Sequence, residues 1–288
     1  MKKCLIIGGS SKIGQHIYDK KYIKTYNNNK FKNFIKFDFS ITQLKKIIKK
    51  HKIEAIIYLA GITKLDDCAK NKRLSDKINI NYPKKIIKFL KHQNIYFLFV
   101  SSDAVYNGNS PNHKENEILK PNTTYGKQKK IIEQYIVKKL KKYSILRISR
   151  VIFDKKNYQD IIQDFLEITK NSKEFNAATD QYFNPTFIYE LDKVFKFLLK
   201  SEINGIYNFC SKKRYSRFAF MSLLKKNYKT MKIRINKTTL KNLKFFDNRP
   251  SDTSMNTTKI NKIFSHHNFN VSKKILKIFK KRLKNEKI

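Results

Sequence analysis

The stretch Cys4-Leu5-Ile6-Ile7-Gly8-Gly9-Ser10-Ser11-Lys12-Ile13-Gly14 decides the fold. Four apolar residues in a row read as a strand covered on both faces, and glycines end it. From 13 to about 20 the apolar spacing turns helical, so the glycines sit between a strand and a helix. In that setting Gly8 permits a tight turn and Gly14 lets the helix lie close to the sheet. The pyrophosphate of a dinucleotide would rest at the helix N-terminus, where unpaired N–H groups and the helix dipole attract anions. Ser11 holds the middle position of the Gly-x-x-Gly-x-x-Gly spacing. Ser10, Lys12 and Ile13 complete the turn.

Outward from this turn, short apolar strands alternate with amphipathic helices. Strands are expected at 22–26, 34–37, 53–59, 96–100 and 144–148. Helices are expected at 84–91 and from 125 to about 140, and another follows Ser40, which forms a capping-box signature with Gln43. Such alternation predicts an α/β protein with a Rossmann-type, doubly wound parallel sheet. Beyond about Phe153 the pattern loosens into a smaller mixed lobe, expected over the carboxyl ends of the strands, where such sheets bind ligands. Five of the seven glycines (Gly8, Gly9, Gly14, Gly61 and Gly126) fall in these candidate site loops, as close ligand approach would demand.

No carboxylate stands at the end of the second expected strand. Thr25, Tyr26 and Asn27 occupy that stretch, with Lys12 and Lys30 expected nearby. An acid there holds the ribose hydroxyls of NAD, and its absence removes repulsion against a 2′-phosphate. NADP(H) is therefore favoured, and NAD(H) is left open.

The formal net charge of +42, from 64 Lys and Arg against 22 Asp and Glu, invites a nucleic-acid reading. The lysines are scattered through every segment rather than gathered on one motif, so no nucleic-acid site is expected. Apolar residues at 40% and aromatic residues at 13% belong to a folded chain. The longest apolar runs are far too short for membrane insertion, and the N-terminus lacks a secretory apolar region. Cys4, Cys68 and Cys210 are odd in number and lack metal-ligand spacing. They read as thiols of a reducing, cytoplasmic compartment, with no metal site.

The chemistry lies in Val100-Ser101-Ser102-Asp103-Ala104-Val105-Tyr106, followed by Tyr125-Gly126-Lys127-Gln128-Lys129. Residues four apart share a helix face, so Tyr125 and Lys129 point into one site. A phenol titrates near 10 and is a poor acid or base at neutral pH. An adjacent ammonium, together with a positive nicotinamide ring, is expected to favour the phenolate and lower that value. Ser102, ending an apolar strand, would orient a substrate carbonyl.

With these residues in place, the sequence resembles the extended short-chain dehydrogenase/reductases, and within them the dTDP-4-dehydrorhamnose reductase family. The resemblance runs nearly the whole chain. It takes in Asp38-Phe39-Ser40, Leu59-Ala60-Gly61, Asn79 and Leu146-Arg147. Two subfamily markers narrow it: Asp180-Gln181-Tyr182-Phe183-Asn184-Pro185-Thr186 and Arg249-Pro250-Ser251-Asp252-Thr253. It implies that Asp38 and Phe39 flank the adenine and that Ala60 and Gly61 line the nicotinamide side. Ser102 and Tyr125 would hold the keto oxygen, with Tyr125 donating the proton, while Lys129 holds the ribose. Asp103, Arg150, Gln181 and Arg249 would face a nucleotide-sugar. Residues 1–153 would bind NADP(H), and 154–288 would mainly bind substrate, with a segment near 186–200 packing back on the first domain. A homodimer is left open.

Related dehydratases place an Asp–Glu pair after the Ser/Thr, and related epimerase-reductases place a cysteine after the acid. Here Ala104 follows Asp103, which leaves plain carbonyl reduction. Phe183 stands where the subfamily has glycine, and Arg150 where it has tryptophan, so the particular sugar is left open. Two rivals remain: a non-catalytic cofactor-binding subunit, and a basic protein whose C-terminal stripe (Val271, Ile275, Leu276, Phe279 and Leu283) lies on an anionic surface.

Overall fold

The computed structural model describes residues 2–155, 158–227, 232–264 and 270–284. Its first half runs β1 (Cys4–Ile7), α1 (Lys12–His16), β2 (Tyr22–Tyr26), β3 (Ile35–Lys36), α2 (Ile41–His51) and β4 (Ala55–Tyr58). Next come α3 (Leu65–Lys70), α4 (Lys72–Asp76), a π-helical turn over Lys77–Asn81, α5 (Tyr82–Leu90), β5 (Tyr96–Ser102), α6 (Thr124–Lys139) and β6 (Tyr143–Ile148). The second half holds β7 (Val151–Ile152), α7 (Ile161–Asn171), β8 (Glu174–Ala178), β9 (Tyr182–Phe183), β10 (Thr186–Phe187) and α8 (Ile188–Ser201). It closes with β11 (Gly205–Phe209), β12 (Tyr215–Ser216), α9 (Arg217–Lys226), β13 (Arg234–Thr238), α10 (Thr258–Ile263) and α11 (Val271–Lys284).

Seven strands form one parallel sheet in the order β11-β6-β5-β4-β1-β2-β3. The order reverses between β1 and β4, which opens a crevice at the carboxyl ends of those strands. Alternate residues of each central strand point to opposite faces. Cys4 and Ile6 pack under Leu191, Phe195 and Leu198 of α8. Leu5 and Ile7 belong to the opposite core with Leu44 of α2, Ile87 of α5 and Ile132 of α6. This two-sided burial is why the strands are uniformly apolar.

Two departures from the expected elements have local causes. Helix α1 stops at His16 instead of about 20, because Ile17 is fully buried in extended conformation and Asp19 opens a turn into β2. Strand β11, with no counterpart in the sequence reading, adds to the sheet edge beside β6.

The remaining segments pair as β10 with β7, β12 with β9 and β13 with β8. They surround a third core built from α7, α9 and α11. Most of the apolar stripe of α11 is used there: Val271, Ile275, Phe279 and Leu283 are buried against that core, and Leu276 is half-buried. Among the described residues, no helix is long and apolar enough to cross a membrane.

Candidate active site

The glycine turn is tied to the end of β2. Thr25 donates its hydroxyl to the Ile6 carbonyl at 3.1 Å and accepts the Gly8 N–H at 3.2 Å. Gly8 has φ +87, and a Cβ there would lie 2.5 Å from the Ala60 nitrogen. A Cβ at Gly14 would lie 2.5 Å from the Gly9 carbonyl oxygen. The first glycine thus serves the turn and the second the helix-to-turn packing. Ser11 caps α1 by accepting the Gly14 N–H at 3.1 Å. Lys12 reaches across the cleft and donates to the Gln159 carbonyl at 2.9 Å.

Two cavities meet over this turn. The first, of about 640 Å³, is lined by Ser11, Lys12, Ile13, Ser102, Tyr125 and Lys129, and farther out by Asp103, Arg150, Gln181 and Arg249. The second, of about 460 Å³, is lined by Gly8, Ser10, Asn27, Asn28, Phe39 and Tyr82. Ser11, Ala60 and Gly61 line both, so the two form one trough across the crevice. Phe39, stacked on Tyr82 with ring centroids 4.4 Å apart, lines the second cavity with it.

Not every expected site residue reaches the trough. Asp38 lines neither cavity: its carboxylate accepts the Ser40 N–H at 2.8 Å, and its own N–H donates to Gln43. It completes the helix cap at α2 in place of the reciprocal Gln43-to-Ser40 bond of a capping box. Gly14 is likewise packed beneath the turn rather than exposed in it. No acid comes to the end of β2, where Asn27 donates to the Phe37 carbonyl at 2.9 Å.

At the other end, β5 delivers Ser102 and α6 delivers Tyr125 and Lys129. Ser102 donates its hydroxyl to Asp103 at 2.9 Å and accepts the Ala104 N–H. The second oxygen of Asp103 accepts from Ser149 at 2.7 Å and Thr253 at 2.8 Å. Asp103 is therefore a hub joining β5, the end of β6 and the 249–253 segment. Lys129 donates to the Val100 carbonyl at 2.9 Å and lies 5.6 Å from the Tyr125 ring centroid.

The chain's own groups raise the phenol, whereas the expected lowering belongs to the ammonium together with a nicotinamide ring. Burial, with Cys68 and Asp103 adding to it, pushes the Tyr125 phenol above its ordinary value. Burial also pushes the Lys129 ammonium down to about 8, against the pull of Glu133 and Cys68. Desolvation disfavours the charged form of each. Tyr125 is thus held as a protonated phenol.

Several supporting residues carried no periodic signal. Asn79, on the π-helical turn, accepts the Ile62 N–H and donates to the Ile62 carbonyl, both at 2.9 Å, which fixes the loop after Gly61. Gln128 accepts from Asn79 at 2.7 Å. Asp66 pairs with Arg249 at 2.9 Å and accepts the Asp247 N–H, while Asp247 accepts the Thr124 N–H at the start of α6. The 247–249 segment is thereby strapped over the helix that bears Tyr125.

A parallel sheet with a glycine turn at its switch point, and Ser, Tyr and Lys converging at the same trough, defines the extended short-chain dehydrogenase/reductase class. The chain belongs to the family described by the RmlD substrate binding domain, whose model matches residues 1–283. It is 23% identical over 282 residues to a dTDP-4-dehydrorhamnose reductase of Aggregatibacter actinomycetemcomitans, covering 92% of this chain and 94% of that one. It is 27% identical over 251 residues to a dTDP-D-glucose 4,6-dehydratase of Dictyostelium discoideum, covering 72% of this chain but only 58% of that longer protein. A dTDP-4-dehydrorhamnose reductase of Bacillus anthracis, solved in complex with NADP, superposes with a TM-score of 0.81 at 20% identity, covering 97% and 99% of the two chains.

Proposed function

We propose that this chain catalyses the NADPH-dependent reduction of the keto group of a nucleotide-linked 4-keto-6-deoxysugar. The observation that carries this reading is the convergence of Ser102, Tyr125 and Lys129 on the trough that crosses the glycine turn. Residues 1–153 would hold the cofactor, and most of 154–288 the sugar nucleotide.

Gly8, Ser10, Ser11, Ala60, Gly61 and Phe39 would hold the dinucleotide, which supplies the hydride. The missing acid beside Asn27 favours the 2′-phosphorylated form, in keeping with the NADP bound by the Bacillus anthracis relative. The remaining work belongs to the chain's own side chains. A keto oxygen at Ser102 competes with Asp103 for the serine proton, so binding exchanges one hydrogen bond for another. Tyr125, held as a phenol, donates its proton to that oxygen as charge develops there. Lys129, beneath the Tyr125 ring, places a positive charge that steadies the resulting phenolate. Ala104, following Asp103, offers no second acid for dehydration, which separates this chain's chemistry from that of the dehydratase relative.

Tyr125→Phe removes the proton donor while keeping the ring. With a panel of 4-keto-sugar nucleotides, NADPH oxidation should fall by about 10² to 10⁴ while NADPH affinity stays within a small factor. Undiminished turnover would overturn the assignment. A wild-type protein that binds NADPH but oxidises it with none of the panel would favour a non-catalytic role.

A further inference from the structure

Ser102 and Tyr125 stand on different elements, the end of β5 and the first turn of α6. One stretch of the C-terminal lobe, 247–253, touches the supports of both. At its start, the Asp247 carboxylate accepts the Thr124 N–H at 2.9 Å, one residue before Tyr125. At its end, Thr253 donates its hydroxyl at 2.8 Å to Asp103, the acid that accepts the Ser102 hydroxyl.

The first N–H groups of a helix have no partner inside it. In α6, Thr123 accepts that of Gly126 at 3.0 Å, and Asp247 takes that of Thr124. The first turn of α6 carries no acid of its own, so Asp247 also brings the negative charge that suits a helix N-terminus. Asp247 is itself held in place. Its N–H donates to one oxygen of Asp66, its carbonyl accepts from Arg249 at 3.0 Å, and Arg249 pairs with the other oxygen of Asp66. The far end of the segment is fixed by backbone bonds that leave the Thr253 hydroxyl out. The Asp252 N–H donates to the Gly108 carbonyl at 2.9 Å, and the Thr253 N–H to the Tyr182 carbonyl at 3.2 Å. The two supports also touch each other. A Cβ at Gly126 would run into the Ala104 carbonyl oxygen, so the first turn of α6 rests directly on the residue after Asp103. Shifting either support moves the serine and the tyrosine relative to each other, and a misplacement of about 1 Å can cost about 10² in rate.

We propose that Asp247 and Thr253 are positioning residues of the reduction, through which one segment of the C-terminal lobe holds Tyr125 and Ser102 in register. This rests on the reductase reading and adds to it the residues that set the geometry of its proton transfer. Asp247 lines neither cavity of the trough, so its effect passes through α6. Thr253 lines the first cavity, but its hydroxyl is directed at Asp103, so its effect passes through that carboxylate to Ser102.

The test is steady-state NADPH oxidation by the full chain, with the member of the 4-keto-sugar nucleotide panel that wild type reduces fastest. Asp247→Ala removes the acceptor at α6 and Asp247→Asn restores one. Thr253→Val removes the hydroxyl and Thr253→Ser restores it. Each loss variant should lower kcat by about 10- to 100-fold while KM for the sugar nucleotide stays within about threefold, and each conservative variant should recover most of kcat. Amide hydrogen exchange, read without substrate, should quicken across 124–128 in Asp247→Ala and not in Thr253→Val. Unchanged kcat in both loss variants overturns the proposal, as does unchanged exchange in Asp247→Ala. A rise in KM with kcat kept also overturns it, because the two side chains would then be substrate contacts. So does a fall in kcat that only follows a lower melting temperature and is not recovered by Asp247→Asn and Thr253→Ser. If wild type reduces none of the panel, the reductase reading falls and takes the positioning role with it.

Discussion

At the scale of single residues, burial acts on Tyr125 and Lys129 in opposite senses, and the lysine is the one that titrates in an accessible range. Its value of about 8 means that the ammonium is largely lost by pH 9 in the unliganded cleft. A bound dinucleotide is anionic and favours the charged form, so binding raises that value and takes up a proton. Proton uptake should therefore be small at pH 7, grow through pH 8 to 9, and vanish in Lys129→Met. Affinity for NADPH should fall as pH rises across the same interval. Titration calorimetry in buffers of different ionisation enthalpy measures it directly, and uptake that ignores pH would remove Lys129 from the cofactor site. Ser102, Tyr125 and Lys129 were legible in the sequence because their spacing is fixed by one strand end and one helix face. Asp103's partners were not: Ser149 and Thr253 lie 46 and 150 residues away, and such pairings leave no period.

Among the elements, strands that are apolar throughout announced themselves, since a parallel sheet buried on both faces tolerates little else. Strand β11 escaped because its apolar run is broken by Asn208, whose buried amide is satisfied by Tyr106 and the His113 carbonyl. Helix α11 was legible as an amphipathic stripe, but its attachment was not. Arg282, 1% exposed, makes two bonds to Asp160 at 2.8 and 2.6 Å and a third to the Phe153 carbonyl. Asp160 in turn caps α7 by accepting the Ile162 and Gln163 N–H groups. Since Phe153 and Asp160 line the cleft, the last helix braces a wall of the candidate site. Arg282→Met leaves a buried carboxylate unpaired and should lower unfolding free energy by about 3–5 kcal/mol. Combining it with Asp160→Asn should cost less than the sum of the two single changes. Chemical denaturation of the four proteins checks both statements, and additive losses would mean that the two side chains are not coupled.

For the whole molecule, the excess of 42 positive charges is spread over a surface that its 22 acids cannot neutralise. Folding concentrates those charges, so mutual repulsion works against the compact state and is relieved when ions screen it. The screening length falls from about 30 Å at 0.01 M salt to about 3 Å at 1 M, which reaches the surface charges first. The buried pairs Arg147–Glu133 and Arg282–Asp160, each at 2.6 Å with side chains no more than 2% exposed, are largely shielded from that effect. The net result should be a melting temperature that rises with sodium chloride between 0.01 and about 0.5 M, opposite to a protein held by surface ion pairs. The same screening should abolish association with DNA or anionic vesicles by about 0.5 M, because Val271, Ile275, Phe279 and Leu283 of α11 are buried in the lobe core and the lysines are scattered along the sequence. Thermal melts and binding assays run over one salt series decide it together. A falling melting temperature would show that attraction outweighs repulsion on this surface, and DNA binding that persists at 0.5 M would return the charge to the list of functional features.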